Sequence, residues 1–163
     1  MTICNRWTLI AIASSLLCTL TAGAQEPFRF QYSAKVVCGP YRDASARSQV
    51  LVPQLYATTI NIHNPDPRKP IKLSKKLVLT EPPGHQKPGP IMRLGEDELG
   101  PDGALATDCA DLRSRLPPTA PPLPAFFEGF VVVQSLDSLD VVGVYTAPGA
   151  IDVVPVPERR FGQ

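Results

Sequence analysis

Histidine and methionine are nearly missing from this chain, with two of each among 163 residues. His63 and His85 are the only imidazoles, too few for the tight, repeated His and Met spacing that copper-carrying β-sandwiches use. There is no GxSxG elbow to present a nucleophilic serine and no CxxC thiol pair. An excess of either charge sign is lacking too: 16 basic residues face 15 acidic ones, a net charge of +1. That balance excludes nonspecific nucleic-acid binding, which needs a basic face, and polybasic attachment to a membrane surface. No sequence repeat is visible, and beyond residue 24 no apolar run is long enough to span a bilayer.

The first 24 residues have the build of a cleavable export signal. Arg6 supplies the positive start, an apolar stretch runs from Trp7 to Leu20, and Ala22-Gly23-Ala24 forms a small-x-small cleavage site. Gln25 is then the expected new N-terminus, and no stable membrane insertion is expected after cleavage. A lipid-modified Cys18 is the rival reading, but the preceding Leu17 is larger than such sites usually carry. The expected location is periplasmic or secreted. Residues 25–163 suit a single domain in size.

Four cysteines are present, and two of them, Cys4 and Cys18, lie in the signal segment. The remaining pair, Cys38 and Cys109, is most simply a disulfide in an oxidising compartment. Closing a loop of that length stabilises the fold by about 4 kcal/mol in the chain-entropy description.

Nineteen prolines punctuate the chain too often for long helices. Between them lie short runs with period-two alternation. Tyr32, Ala34, Val36 and Cys38 share one face, as do Tyr56, Thr58, Ile60 and Ile62. Ile71, Leu73, Leu77 and Leu79 form a third apolar set, against Lys72, Ser74, Lys76 and Thr80, with those lysines read on a solvated face. Ile91–Leu94 and Ala104–Cys109 are weaker strand candidates, and Ala110–Leu116 is a candidate short helix. Phe126–Ser135 and Leu139–Thr146 are apolar on both parities and so belong at the centre of the structure. Leu136-Asp137-Ser138 between them is short enough for a hairpin. Ile151–Val156 is the last strand, before a basic tail at Arg159-Arg160. The expected fold is all-β, a single antiparallel β-sandwich of immunoglobulin-like type with seven or eight strands over 25–163. Three connections are long: 39–50, 81–90 and 116–125. The last carries five prolines and suits exposed polyproline II, either as a spacer or as a ligand for a partner groove.

Candidate chemistry is sparse. Ser135, His63 and Asp140 can be assembled on paper as a hydrolase unit, without local support. His63, His85, Met92 and the cysteines are ligand types that suit copper or zinc. Glu96-Asp97-Glu98 with Asp102 lacks the alternating ligands and turn glycine of a calcium loop and reads as a solvated turn. The most distinctive segment is Asn61-Ile62-His63-Asn64-Pro65. Asn61, His63 and Asn64 form a candidate polar rim for a ligand or partner; the alternative for Asn64 is that it caps the turn before Pro65.

The runs Ala34-Lys35-Val36-Val37-Cys38-Gly39, Asn61-Ile62-His63-Asn64-Pro65, Gly129-Phe130-Val131-Val132-Val133-Gln134-Ser135 and Leu139-Asp140-Val141-Val142-Gly143-Val144-Tyr145-Thr146 are similar to an uncharacterised family of exported bacterial proteins. More distantly the chain resembles the sensory rhodopsin transducer family, small β-sandwich proteins that oligomerise and bind partners. The resemblance implies a sandwich fold and a non-enzymatic role, and it carries over no functional residues. The expected function is a binding or assembly module of the cell envelope, with no cofactor. Its partners would be a protein, a small ligand or further copies of itself. The alternative is a metal carrier or small hydrolase centred on His63.

Overall fold

The computed structural model describes residues 28–42, 51–81 and 87–161. The segment 1–24 expected to act as an export signal, with Cys18, the terminus expected at Gln25, His85 and parts of the first two long connections lie outside the described residues.

Among the described residues, nine strands form where alternation and β-branched residues favour them. They are β1 (Phe30–Tyr41), β2 (Gln54–His63), β3 (Ile71–Thr80), β4 (Pro88–Leu99), β5 (Ala104–Asp108), β6 (Phe127–Ser135), β7 (Asp140–Ala147), β8 (Ala150–Pro155) and β9 (Glu158–Arg160). A short helix, α1 (Cys109–Ser114), follows β5. The pairings are antiparallel. The fold is all-β.

The strands make one hydrogen-bonded path, β4-β3-β6-β1-β2-β7-β8, with β5 on β2 and β9 on β1. It is therefore one continuous sheet, where the sequence suggested two separate ones. The continuity lies in a fork. β1 and β2 pair only at their tips, from Gly39↔Tyr56 to Tyr41↔Gln54. Beyond that, β1 runs on with β6 and β2 runs on with β7. The freed sides are lined by β9 against β1 and β5 against β2. Thr58 stands at the parting point and replaces the lost ladder. Its hydroxyl donates to the Val37 carbonyl at 3.1 Å and accepts from the Val37 N–H at 3.0 Å. Gly39 gives the bend its backbone, at φ 99, where a side chain would collide with the Ala125 carbonyl.

The two arms of the fork lie face to face. Lys75 of β3 reaches Thr107 of β5, at 3.2 Å, although these strands never pair. The disulfide joins Cys38 of β1 to Cys109 after β5, with Cα atoms 5.7 Å apart. Inward residues from both arms form one core, including Tyr32, Val36, Leu73, Leu77 and Val131 on one side and Ile60, Ile62 and Val141 on the other. β6 and β7 are central in their arms, as their two-sided apolar character predicts.

Several expectations need correction. Leu136-Asp137-Ser138 does not close a hairpin, because β6 and β7 belong to different arms and the link crosses between them. It is held there by the Tyr32 hydroxyl, which accepts from the Leu139 N–H at 2.8 Å. β7 instead forms a hairpin with β8, where Pro148-Gly149, with Gly149 at φ 76, suits a type II turn. The proline-rich connection does not stand free. Leu116, Ala120 and Leu123 pack on the core, and Arg113 of α1 donates to the carbonyls of Pro124 at 2.9 Å and Ala125 at 2.7 Å.

Lys75 is the residue that the alternation of this strand leaves unassigned. It shares parity with Leu73 and Leu77 and is buried, so only Lys72 and Lys76 face outward. Its Nζ lies 2.8 Å from Asp97 of β4, and Arg115 lies 3.5 Å from the same carboxylate. Asp97 is thus part of a strand, where the sequence suggested a solvated turn. A bulge opposite Lys75/Lys76, at Gly95 with φ 101, reverses the parity of β4. Met92 and Leu94 point inward before it, and Asp97 and Leu99 after it. Burial alone would raise the Asp97 carboxyl; Lys75 and Arg115 outweigh it and hold the group below its usual range.

Candidate functional site

Alternation along β2 sends Thr58, Ile60 and Ile62 into the core and leaves Asn61 and His63 on the outer face. The register brings Ala106 and Val142 to either side of Asn61, and Ala104 and Asp140 to either side of His63. Together these six residues line a shallow depression of about 390 Å³. Its floor is small and apolar, because alanine and valine are what β5 and β7 present outward there. Its polar groups sit at one end.

His63 is fixed from both sides. Nδ1 lies 3.2 Å from Asp140 Oδ2, and Nε2 lies 3.1 Å from Asp102 Oδ1. The Asp140 carboxylate, followed by that of Asp102, raises the imidazole pKa above its ordinary value of 6.5. All three side chains remain in contact with solvent.

Asn64 is not part of this rim. It is fully buried, and its amide donates to the carbonyls of Lys69 and Gly100, each at 2.9 Å, while Oδ1 accepts from the Asp66 N–H. The turn-capping alternative therefore holds, because every polar atom of the side chain is already bonded to backbone. Its role for the site is indirect. The Asn64 N–H donates to Gly103 and the Asp102 N–H donates to Asp66. These bonds hold the β4–β5 turn, where Asp102 adopts φ 52, so that its carboxylate meets His63. Asp102 could not be linked to His63 from sequence, since 39 residues separate them.

The other sequence candidates are not brought here. Ser135 is buried in β6, in the other arm, with its hydroxyl donating to the Asp137 carbonyl at 2.6 Å. His63 and Asp140 do meet, but both ring nitrogens face carboxylates, and among the described residues no serine is bonded to either. Met92 is in the core, and Cys38 and Cys109 are in the disulfide. Among the described residues, no group of three or more His, Cys, Asp or Glu side chains is arranged to hold a metal ion. No helix among them is long and apolar enough to cross a membrane.

Compared with known proteins, the chain matches no family model, no curated protein and no solved structure.

Proposed function

We propose that this protein works outside the cytosol as a non-enzymatic binding or assembly module, and that its working surface is the outer face of β5, β2 and β7. The observation that carries this reading is the braced His63 beside an apolar-floored depression. An imidazole braced by a carboxylate on each side, at the end of a small hydrophobic trough, suits a short segment that lays an apolar side chain in the trough. Asn61 adds a donor and an acceptor on the same face.

Export is supported by the build of residues 1–24 and by the disulfide, which an oxidising compartment sustains. The metal-carrier and hydrolase readings centred on His63 draw no support from this geometry. Using either ring nitrogen as a ligand or a base would first require displacing the carboxylate that lies against it.

Site-specific photocrosslinking in cells that export the protein tests the proposal. A crosslinker placed at Ala106 is expected to capture a discrete partner, and His63→Ala with Asn61→Ala is expected to abolish the adduct. The same crosslinker at Ser74, on the outer face of the opposite arm, is expected to capture none. Equal capture from both faces, or no capture at Ala106, would overturn the proposal.

A further inference from the structure

β8 is the end strand of its arm, and all six of its residues are exposed, with Ile151 at 71% and Val153 at 58%. Which of its backbone groups are free follows from the register. Val142 is opposite Pro155, and the Val156 N–H donates to the Val141 carbonyl. Val142 and Pro155 are therefore a non-hydrogen-bonded pair, and the pattern alternates along the hairpin. Ile151 and Val153 turn both their N–H and C=O groups away from β7, and Pro155 turns its carbonyl the same way.

Natural sheets blunt such edges with charge, proline and bulges. The opposite end strand, β4, does so throughout, with Pro88, Pro90, the Gly95 bulge, Glu96 and Glu98. β8 carries one charge, Asp152, and its single proline sits at the far end. Among the described residues its edge is left open over an apolar centre.

From this contrast we infer that β8 pairs antiparallel with β8 of a second copy of this chain, about a two-fold axis through Val153. The register follows by elimination. Centring on Asp152 would set two like charges directly opposite, which is unfavourable. Centring on Val154 pairs the Val153 N–H groups with the Pro155 carbonyls and leaves the Ile151 groups unpaired. Centring on Val153 forms two hydrogen bonds between the Val153 residues and one from each Ile151 N–H to the second copy's Pro155 carbonyl. It also sets Asp152 opposite Val154. Pro155, with no N–H to offer, ends the ladder, and the two-fold closes the assembly as a dimer.

The joint makes one eight-stranded sheet from two β5-β2-β7-β8 arms. The outer row Val144-Val153 becomes continuous across the axis, and both His63 depressions face the same side, which would let a divalent partner engage two at once. A single strand pair buries less than the roughly 1,200 Å² at the low end of stable interfaces, so the dimer exchanges and depends on concentration. The inference does not rest on the proposed binding role of the depression.

Cysteine trapping tests it. In this register the two side chains at position 153 face each other within disulfide reach, whereas the two at position 151 lie roughly 13 Å apart along the strands. Under mild oxidation Val153→Cys is expected to give a covalent dimer and Ile151→Cys, at a no less exposed position, to stay monomeric. Sedimentation of the wild-type chain is expected to show concentration-dependent dimerisation that Val153→Lys abolishes. Equal trapping at both positions, trapping at 151 alone, or a wild-type chain that stays monomeric at all concentrations would overturn the inference.

Discussion

Lys75 is the residue on which the interior is most exacting. Its side chain is buried between the arms, and its Nζ is matched by Asp97 at 2.8 Å and by the Thr107 hydroxyl at 3.2 Å. Removing one member of a fully buried pair costs roughly 3–5 kcal/mol, while replacing both by apolar groups is often neutral. Asp97 keeps some solvent and also keeps Arg115, so Lys75→Met alone is expected to lower stability by about 2 kcal/mol. The double variant Lys75→Met with Asp97→Leu is expected to return to within about 1 kcal/mol of wild type, as urea titration would show.

His63 is the opposite case, an exposed residue whose ionisation the fold favours. Its folded pKa is raised, so whatever stability the two carboxylates contribute is fully present below about pH 6.5 and is lost as pH rises through the folded value. An NMR titration of the ring is expected to give a midpoint above 6.5. Asp140→Asn should lower that midpoint more than Asp102→Asn, because Asp140 is the larger influence.

At the scale of elements, the fork between β1 and β2 decides the architecture. Thr58 satisfies both backbone groups of Val37 where the ladder stops. Thr58→Val keeps the shape and strands those two groups, for an expected loss of about 2 kcal/mol in chemical denaturation. How much of this was legible in the sequence depends on the element. The strands with clean alternation, β1, β2 and β3, could be read directly, as could the central places of β6 and β7. The parity of Cys38 and of the apolar β2 set pointed to the core for the same reason. β4 could not be read past Leu94, because one bulge at Gly95 exchanges its two faces and hides Asp97 as a core-facing residue. The Lys75 signal was present, since it shares parity with Leu73 and Leu77, but a charge among leucines carries no sign of its partner. The fork was not legible at all. Nothing local to β1 or β2 says that a strand will change neighbours halfway along. In the site, His63 and Asn61 could be found from alternation alone. Asp102 could not, because a turn far along the chain delivers it.

At the scale of the molecule, the two arms are a single body only if their crossings hold. Those crossings are the shared core, the Lys75–Thr107 contact, the Tyr32 hydroxyl on the β6–β7 link, and the disulfide. The depression at His63 lies wholly on the β2 arm, and Asp102 reaches it from the turn after β4 of the other arm. Its geometry therefore depends on the arms staying clasped. Hydrogen exchange through a urea titration, followed by mass spectrometry on peptides from β3 and from β7, measures this directly. The expected result is one midpoint for both peptides in the oxidised protein. Both midpoints should then fall together, by the equivalent of about 4 kcal/mol of unfolding free energy, when Cys38–Cys109 is reduced. Separate midpoints for the two arms, or a transition that reduction leaves unmoved, would contradict a clasped single sheet.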